Sequence, residues 1–216
     1  MDCNGLAGYP EQELGENRVN RVDRVSEALE LLNNAPVATA LGVLEPLVER
    51  SAWVAEKAVA YRPFASFQDV AQNLVNAILE ADFETRVALF QAHPELAGEE
   101  AHHGTMTEAS TSEQGRLGLM SLSAQDNDRL ATLNARYSAR FGHPYIVALH
   151  RVPDLKTLFD TFERRLQSSA VEEHVSTLAE IASVIYARSE KMLSAQGLGA
   201  ARTLRDPLSS SETDRV

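Results

Sequence analysis

Apolar residues return every three or four positions through most of this chain, the spacing of helix faces packed on a core. Behind Ser66 the series Phe67, Val70, Leu74 and Ile78 follows one such face, with Ser66 as N-cap. A second helix over about 83–92 stops at His93, because Pro94 keeps the residue before it out of the helical region. The stretch SAQDNDRLATLNARYSARFG predicts the clearest element. Ser123 caps it with Asp126 three residues on, Leu130, Leu133, Tyr137 and Phe141 form its stripe, and Gly142 stops it. HPYIVAL, which follows, is too short for a helix of its own and suits an extended path through the interior. Two more helices are predicted over about 154–167 (Leu155, Leu158, Phe159, Phe162, Leu166) and 171–193. No alternating series supplies a sheet, and no internal repeat occurs. The pattern predicts an all-α, single-domain bundle of about seven or eight helices.

The two ends lack this period. Residues 1–18 are rich in Gly, Glu and Asn, and 195–216 in Gly and Ser, so both read as flexible arms around a domain spanning 19–194. Apolar residues make up 44% and charged residues 24%, a folded composition. The formal net charge of −11 argues against nucleic acid and against an anionic membrane surface as partners. Cys3 is the only cysteine, which excludes an internal disulfide and a thiolate metal cage. No apolar run approaches the length of a membrane span, and residues 1–18 do not resemble a secretory leader. A cytoplasmic location is therefore expected.

Chemistry is suggested where polar groups interrupt apolar faces. The last helix carries the stripe Leu178, Ile181, Ile185, Arg188, Met192, with an arginine in an otherwise apolar row. Either an internal carboxylate or an anionic ligand meets this guanidinium, or it snorkels to water near the helix end. In TMTEASTSEQGRLGLM, Ser110, Glu113, Gln114 and Leu117 share one face at i, i+3, i+4 and i+7. Ser110 with Glu113 also matches a capping box, while Thr107 is an equally good N-cap that would place Ser110 inside the helix. His93 has an ordinary structural reading as well. Its imidazole nevertheless titrates near neutrality, and a carboxylate such as Glu113 could orient it. His93, His102, His103 and His143 are the candidates for a rival metal site, but no HExxH spacing occurs and the adjacent pair points apart.

Taken in order, YRPFAS (61–66) with Trp53, AHPELAG (92–98), MTEASTSEQ (106–114), GRLGL (115–119), LNARYSARFGHPYIVAL (133–149) and YAR ending at Arg188 resemble the 2-oxo-4-hydroxy-4-carboxy-5-ureidoimidazoline (OHCU) decarboxylase family of uric acid catabolism. The resemblance covers about residues 30–193. It implies an all-α fold, usually a homodimer, without metal or organic cofactor. It implies loss of carbon dioxide from a small anionic ureidoimidazoline to give (S)-allantoin. Its catalytic histidine falls on His93 and its anion-binding arginine on Arg188. Glu113 would orient His93 or hold ureido N–H groups. The substrate-contacting set falls on Pro94, Ser110, Glu113, Gln114, Arg188 and the extended segment Tyr145, Ile146, Val147, Ala148, Leu149. One departure is FGHPY (141–145), where the family commonly has FGFPF. His143 is then either a second titrating group at the site or a solvent-facing residue. The alternatives are a decarboxylase of a related ureide or hydantoin-like acid, and a non-catalytic helical binding protein of the same fold.

Overall fold

Capping decides where the longer helices begin. Ser66, Asp82, Ser123 and Asp154 each accept the backbone N–H three residues on, from Asp69, Thr85, Asp126 and Thr157. Each such cap stabilises its helix by about 1 kcal/mol. In the computed structural model the described residues are 27–98 and 103–193. They form nine helices: α1 (27–34), α2 (Val37–Leu44), α3 (Ala52–Val59), α4 (Phe67–Leu79), α5 (Phe83–Gln91), α6 (Glu108–Arg116), α7 (Ala124–Phe141), α8 (Leu155–Arg165) and α9 (Ala170–Leu193). Short 3₁₀ turns stand at Glu45–Leu47, Leu119–Ser121 and Leu149–Arg151, and no strand occurs among the described residues. The arms expected at 1–18 and 195–216 and the candidate ligand His102 lie outside the described residues.

The all-α reading holds, with more helices than the periodicity suggested. Pro36, at the N-cap of α2, and Pro46, inside the first 3₁₀ turn, cut the N-terminal part into short pieces. Proline cannot donate in a helix interior, so each marks a restart.

The interior divides into two apolar clusters. In the first, the α4 residues Phe67, Val70, Leu74 and Ile78 pack with Ile181 and Ile185 of α9 and with residues of α1 to α3. Burying each of these large side chains contributes about 1.5–3 kcal/mol. The second gathers Leu130, Leu133 and Tyr137 of α7 with Leu158, Phe159 and Phe162 of α8.

The segment 145–149 runs along the seam. Tyr145 and Leu149 belong to the second cluster with Val147 packed against it, while Ile146 belongs to the first. That alternation is what an extended backbone produces. Its peptide groups have no ladder, so side chains from three helices satisfy them. Arg165 donates to the Ile146 carbonyl (2.7 Å), Glu180 accepts the Ala148 N–H (2.8 Å), and Arg116 donates to the carbonyls of Leu149 and Val152.

Candidate active site

Helix α5 ends at Gln91 with Ala92 as C-cap, and the chain bends at His93 as Pro94 requires. The His93 Nδ1 lies 2.9 Å from the Leu89 carbonyl, one turn back. A carbonyl only accepts, so Nδ1 carries the hydrogen and Nε2 of the neutral ring is left with a free lone pair. Burial pushes the His93 pKa below its ordinary value; the Leu89 bond and the charges of Glu49 and Glu113 oppose this without reversing it. At neutral pH the ring is a proton acceptor.

On α6 the structure decides between the two caps. Thr107 is the N-cap, its Oγ1 accepting the Ser110 N–H, so Ser110 lies within the helix. Ser110 and Gln114 are buried and Glu113 is half-buried. The inward-facing arginine read from the α9 stripe is indeed buried, at 8% exposure, and does not snorkel. Internal carboxylates meet it. Arg188 donates Nε and Nη2 to the two oxygens of Glu113 (2.8 and 2.9 Å), Nη2 also to Glu49 (3.3 Å), and Nη1 to the Pro46 carbonyl (3.4 Å). Burial disfavours the guanidinium charge, but Glu113 and Glu49 outweigh it and hold its pKa above the usual value.

These groups share one cleft of about 450 Å³, which His93, Pro94, Ser110, Glu113, Gln114, Tyr145, Ile146, Val147, Leu149 and Arg188 line together with Leu96 and Val184. Of the catalytic and substrate-contacting set that the resemblance implies, only Ala148 is not on its wall. Its side chain is fully buried and its N–H is taken by Glu180. Gln114 faces the cleft with its polar atoms already engaged. Its Oε1 accepts the Ala97 N–H (2.9 Å), and its Nε2 donates to the Met106 sulfur (3.2 Å) and the Glu95 carbonyl (3.4 Å). It thereby holds the loop after His93, where Ala97 sits at φ 46°, a left-handed conformation that costs an alanine about 1 kcal/mol or more.

His143 takes neither place expected of it. It is buried at 5% exposure among the rings of Phe90, Tyr137 and Phe141, outside the cleft, with Nδ1 against the Pro144 carbonyl. The polar departure in FGHPY is thus an aromatic-layer substitution. Among the described residues no group of three or more His, Cys, Asp or Glu side chains is arranged to hold a metal ion.

Two polar clusters escaped the sequence reading. Glu49, at 5% exposure, accepts from Ser110, Thr107 and Arg188 behind the cleft wall. Its sequence signal was faint, an acid inside the mostly apolar LEPLVERSAWVA. Arg165 and Glu173 form a buried pair that also engages Tyr137 and Thr177.

The chain matches the sequence profile of the family described as OHCU decarboxylase over residues 33–190. The chain belongs to the OHCU decarboxylase family. The 2-oxo-4-hydroxy-4-carboxy-5-ureidoimidazoline decarboxylase of Mus musculus is 30% identical over 169 residues, 78% of this chain and 94% of that protein. The enzyme of the same name from Haloferax volcanii is 33% identical over 151 residues, 69% of this chain and 86% of that protein. The uric acid degradation bifunctional protein PucL of Bacillus subtilis is 30% identical over 77% of this chain, which spans 33% of that longer protein. Among solved structures, a crystal structure of (S)-allantoin synthase shares the fold, with a TM-score of 0.58 and 21% identity over 76% of this chain and 53% of that one. No helix among the described residues is long and apolar enough to cross a membrane.

Proposed function

We propose that this protein is a cofactor-independent decarboxylase that converts 2-oxo-4-hydroxy-4-carboxy-5-ureidoimidazoline to (S)-allantoin in uric acid degradation. The observation that carries the reading is His93, a neutral imidazole with Nδ1–H committed to Leu89, on the same cleft as the Arg188–Glu113 pair, in a chain of this family. Departure of carbon dioxide leaves an electron pair that delocalises over the ring as an enolate-like species and takes up a proton on one face. His93 Nε2, which carries no hydrogen in the neutral ring, takes the proton of the substrate's 4-hydroxyl group and returns it to that face of the enolate-like species. Arg188 holds the anionic substrate through the Nη1 hydrogen that its bonds to Glu113, Glu49 and Pro46 leave over, and Glu113, paired with Arg188, orients the proton-transfer geometry or takes ureido N–H groups. Pro94 with Tyr145, Ile146, Val147 and Leu149 forms the wall against which the flat ring lies. Backbone groups of that wall not already taken by Arg165, Glu180 and Arg116 meet amide edges that would be costly to bury unpaired.

Supplying urate, urate oxidase and hydroxyisourate hydrolase, and following circular dichroism, tests the reading: (S)-allantoin forms faster than by spontaneous decay. A rate equal to the background rejects it. A chelator leaves the rate unchanged, and loss of activity on chelation would restore the metal alternative. A cytoplasmic homodimer is part of the same proposal, to be checked by light scattering and by fractionation.

A further inference from the structure

Glu49 is the one carboxylate at the site that does not line the cleft. It stands behind the wall, between Ser110 and Arg188, and reaches only the smaller apolar recess on the far side of His93. Three donors converge on it. The Ser110 hydroxyl is 2.8 Å from Oε2, the Thr107 hydroxyl 2.9 and 3.0 Å from the two oxygens, and Arg188 Nη2 3.3 Å from Oε2. A hydroxyl has a single hydrogen and two lone pairs. With its hydrogen committed to Glu49, Ser110 can face the cleft only with lone pairs.

We propose that Glu49 is a positioning residue of this site: it fixes Ser110 as a hydrogen-bond acceptor, so that the cleft takes a ligand presenting an N–H there, and its charge, with that of Glu113, holds Arg188 beside His93. The inference rests on the decarboxylase reading and adds to it a specificity element, since a ureide offers N–H groups where an ester or a simple carboxylic acid does not. Nothing in it requires Glu49 to touch the substrate.

Two variants separate the hydrogen bond from the charge. In Glu49→Gln, the carboxamide oxygen can occupy the Oε2 position and still accept from Ser110 and Arg188, while its NH₂ donates to Thr107. The polarity of Ser110 survives and the charge is lost. Glu49→Ala removes both.

The test measures OHCU turnover by wild type, Glu49→Gln, Glu49→Ala, Ser110→Ala and the Glu49→Ala/Ser110→Ala double variant, per folded enzyme. Glu49→Ala and Ser110→Ala are each expected to raise KM about tenfold with a smaller change in kcat, the cost of one lost substrate hydrogen bond. The double variant loses little more than the worse single one, because Glu49 acts through Ser110. Glu49→Gln stays within about threefold of the wild-type KM, as expected when the hydrogen bonds persist. Its kcat/KM profile moves to lower pH on the acid side. The charged groups facing His93 are Glu49, Glu113 and Arg188, and loss of one carboxylate makes the imidazole harder to protonate. A wild-type KM in folded Glu49→Ala, or single losses that multiply in the double variant, overturns the inference. Should Glu49→Ala fail to fold, an unmoved acid limb in Glu49→Gln overturns it. A wild-type rate at the spontaneous background instead overturns the decarboxylase reading itself.

Discussion

Two arginines are buried around the segment 145–149, one bonded to it and one sharing a cleft with it, and they are used differently. Arg165, at 3% exposure, is closed off: it pairs with Glu173, bonds Thr177, stacks over Tyr145 and spends Nη1 on the Ile146 carbonyl. Its ring neighbours respond to the same enclosure. Burial, partly offset by the Arg165 charge, pushes the Tyr145 hydroxyl up to about 12. Arg188 has the same kind of partners in Glu113 and Glu49, yet its guanidinium borders a solvent-accessible cleft beside a neutral histidine. The first cluster shapes the wall, and the second faces what the wall encloses. A buried ion pair alone therefore says nothing about function, because desolvation costs both pairs alike; the cleft and His93 distinguish them.

The largest effect is expected from His93→Ala, which lowers kcat by about 10² to 10⁴ and leaves the melting temperature close to that of wild type. Activity and thermal melts measured together check this, and a large loss of stability would place His93 with Arg165 instead. Glu173→Ala should do the reverse, costing about 3–5 kcal/mol of stability by stranding a buried guanidinium, as read by urea unfolding. Its residual folded fraction should retain proton-transfer chemistry.

A smaller effect comes from pH. Since His93 works as a neutral acceptor and its folded pKa is lowered, kcat/KM stays level through neutral pH. It falls only below about 6.5, as the ring protonates. A profile that declines already above pH 7 would contradict the assignment. The smallest effect is expected at a third ion pair, Arg129–Glu163, whose side chains are about half exposed. Glu163→Gln should change stability by no more than about 0.5 kcal/mol and leave kcat/KM as it was, which calibrates the two buried pairs against an exposed one.

What could be read in the sequence follows from how each residue signals its place. Helices α4 and α7 declare themselves by period and cap, α8 and α9 by period, and Arg188 by interrupting an apolar row. Glu49 lies between a 3₁₀ turn and the next helix, where neither the 3.6 nor the 2.0 period applies, so its inward direction leaves no trace. Arg165 and Glu173 were hidden by plausibility: a cation in the last turn of α8 and an acid in the first turn of α9 both suit the helix dipole on a surface. His143 misled for the opposite reason, since its residue type suggested titration while its neighbours are aromatic rings. Gln114 was legible as a member of the face but not as a brace for the left-handed turn at Ala97, a contact between residues far apart along the chain.

Helix α9 carries both arginine clusters. Glu173, Thr177, Glu180, Val184 and Arg188 follow one another at spacings of four, three, four and four residues, which keeps them on a single side of the rod. From the Arg165 partner to the cleft arginine this rod spans about 22 Å at 1.5 Å per residue. It works as a ruler, fixing the register of wall against cleft. Adding or deleting one residue near its middle would rotate everything downstream by about 100° and point Arg188 away from Glu113. A change of length inside α9 would therefore separate Arg188 from Glu113, where a change of composition on its other sides would not.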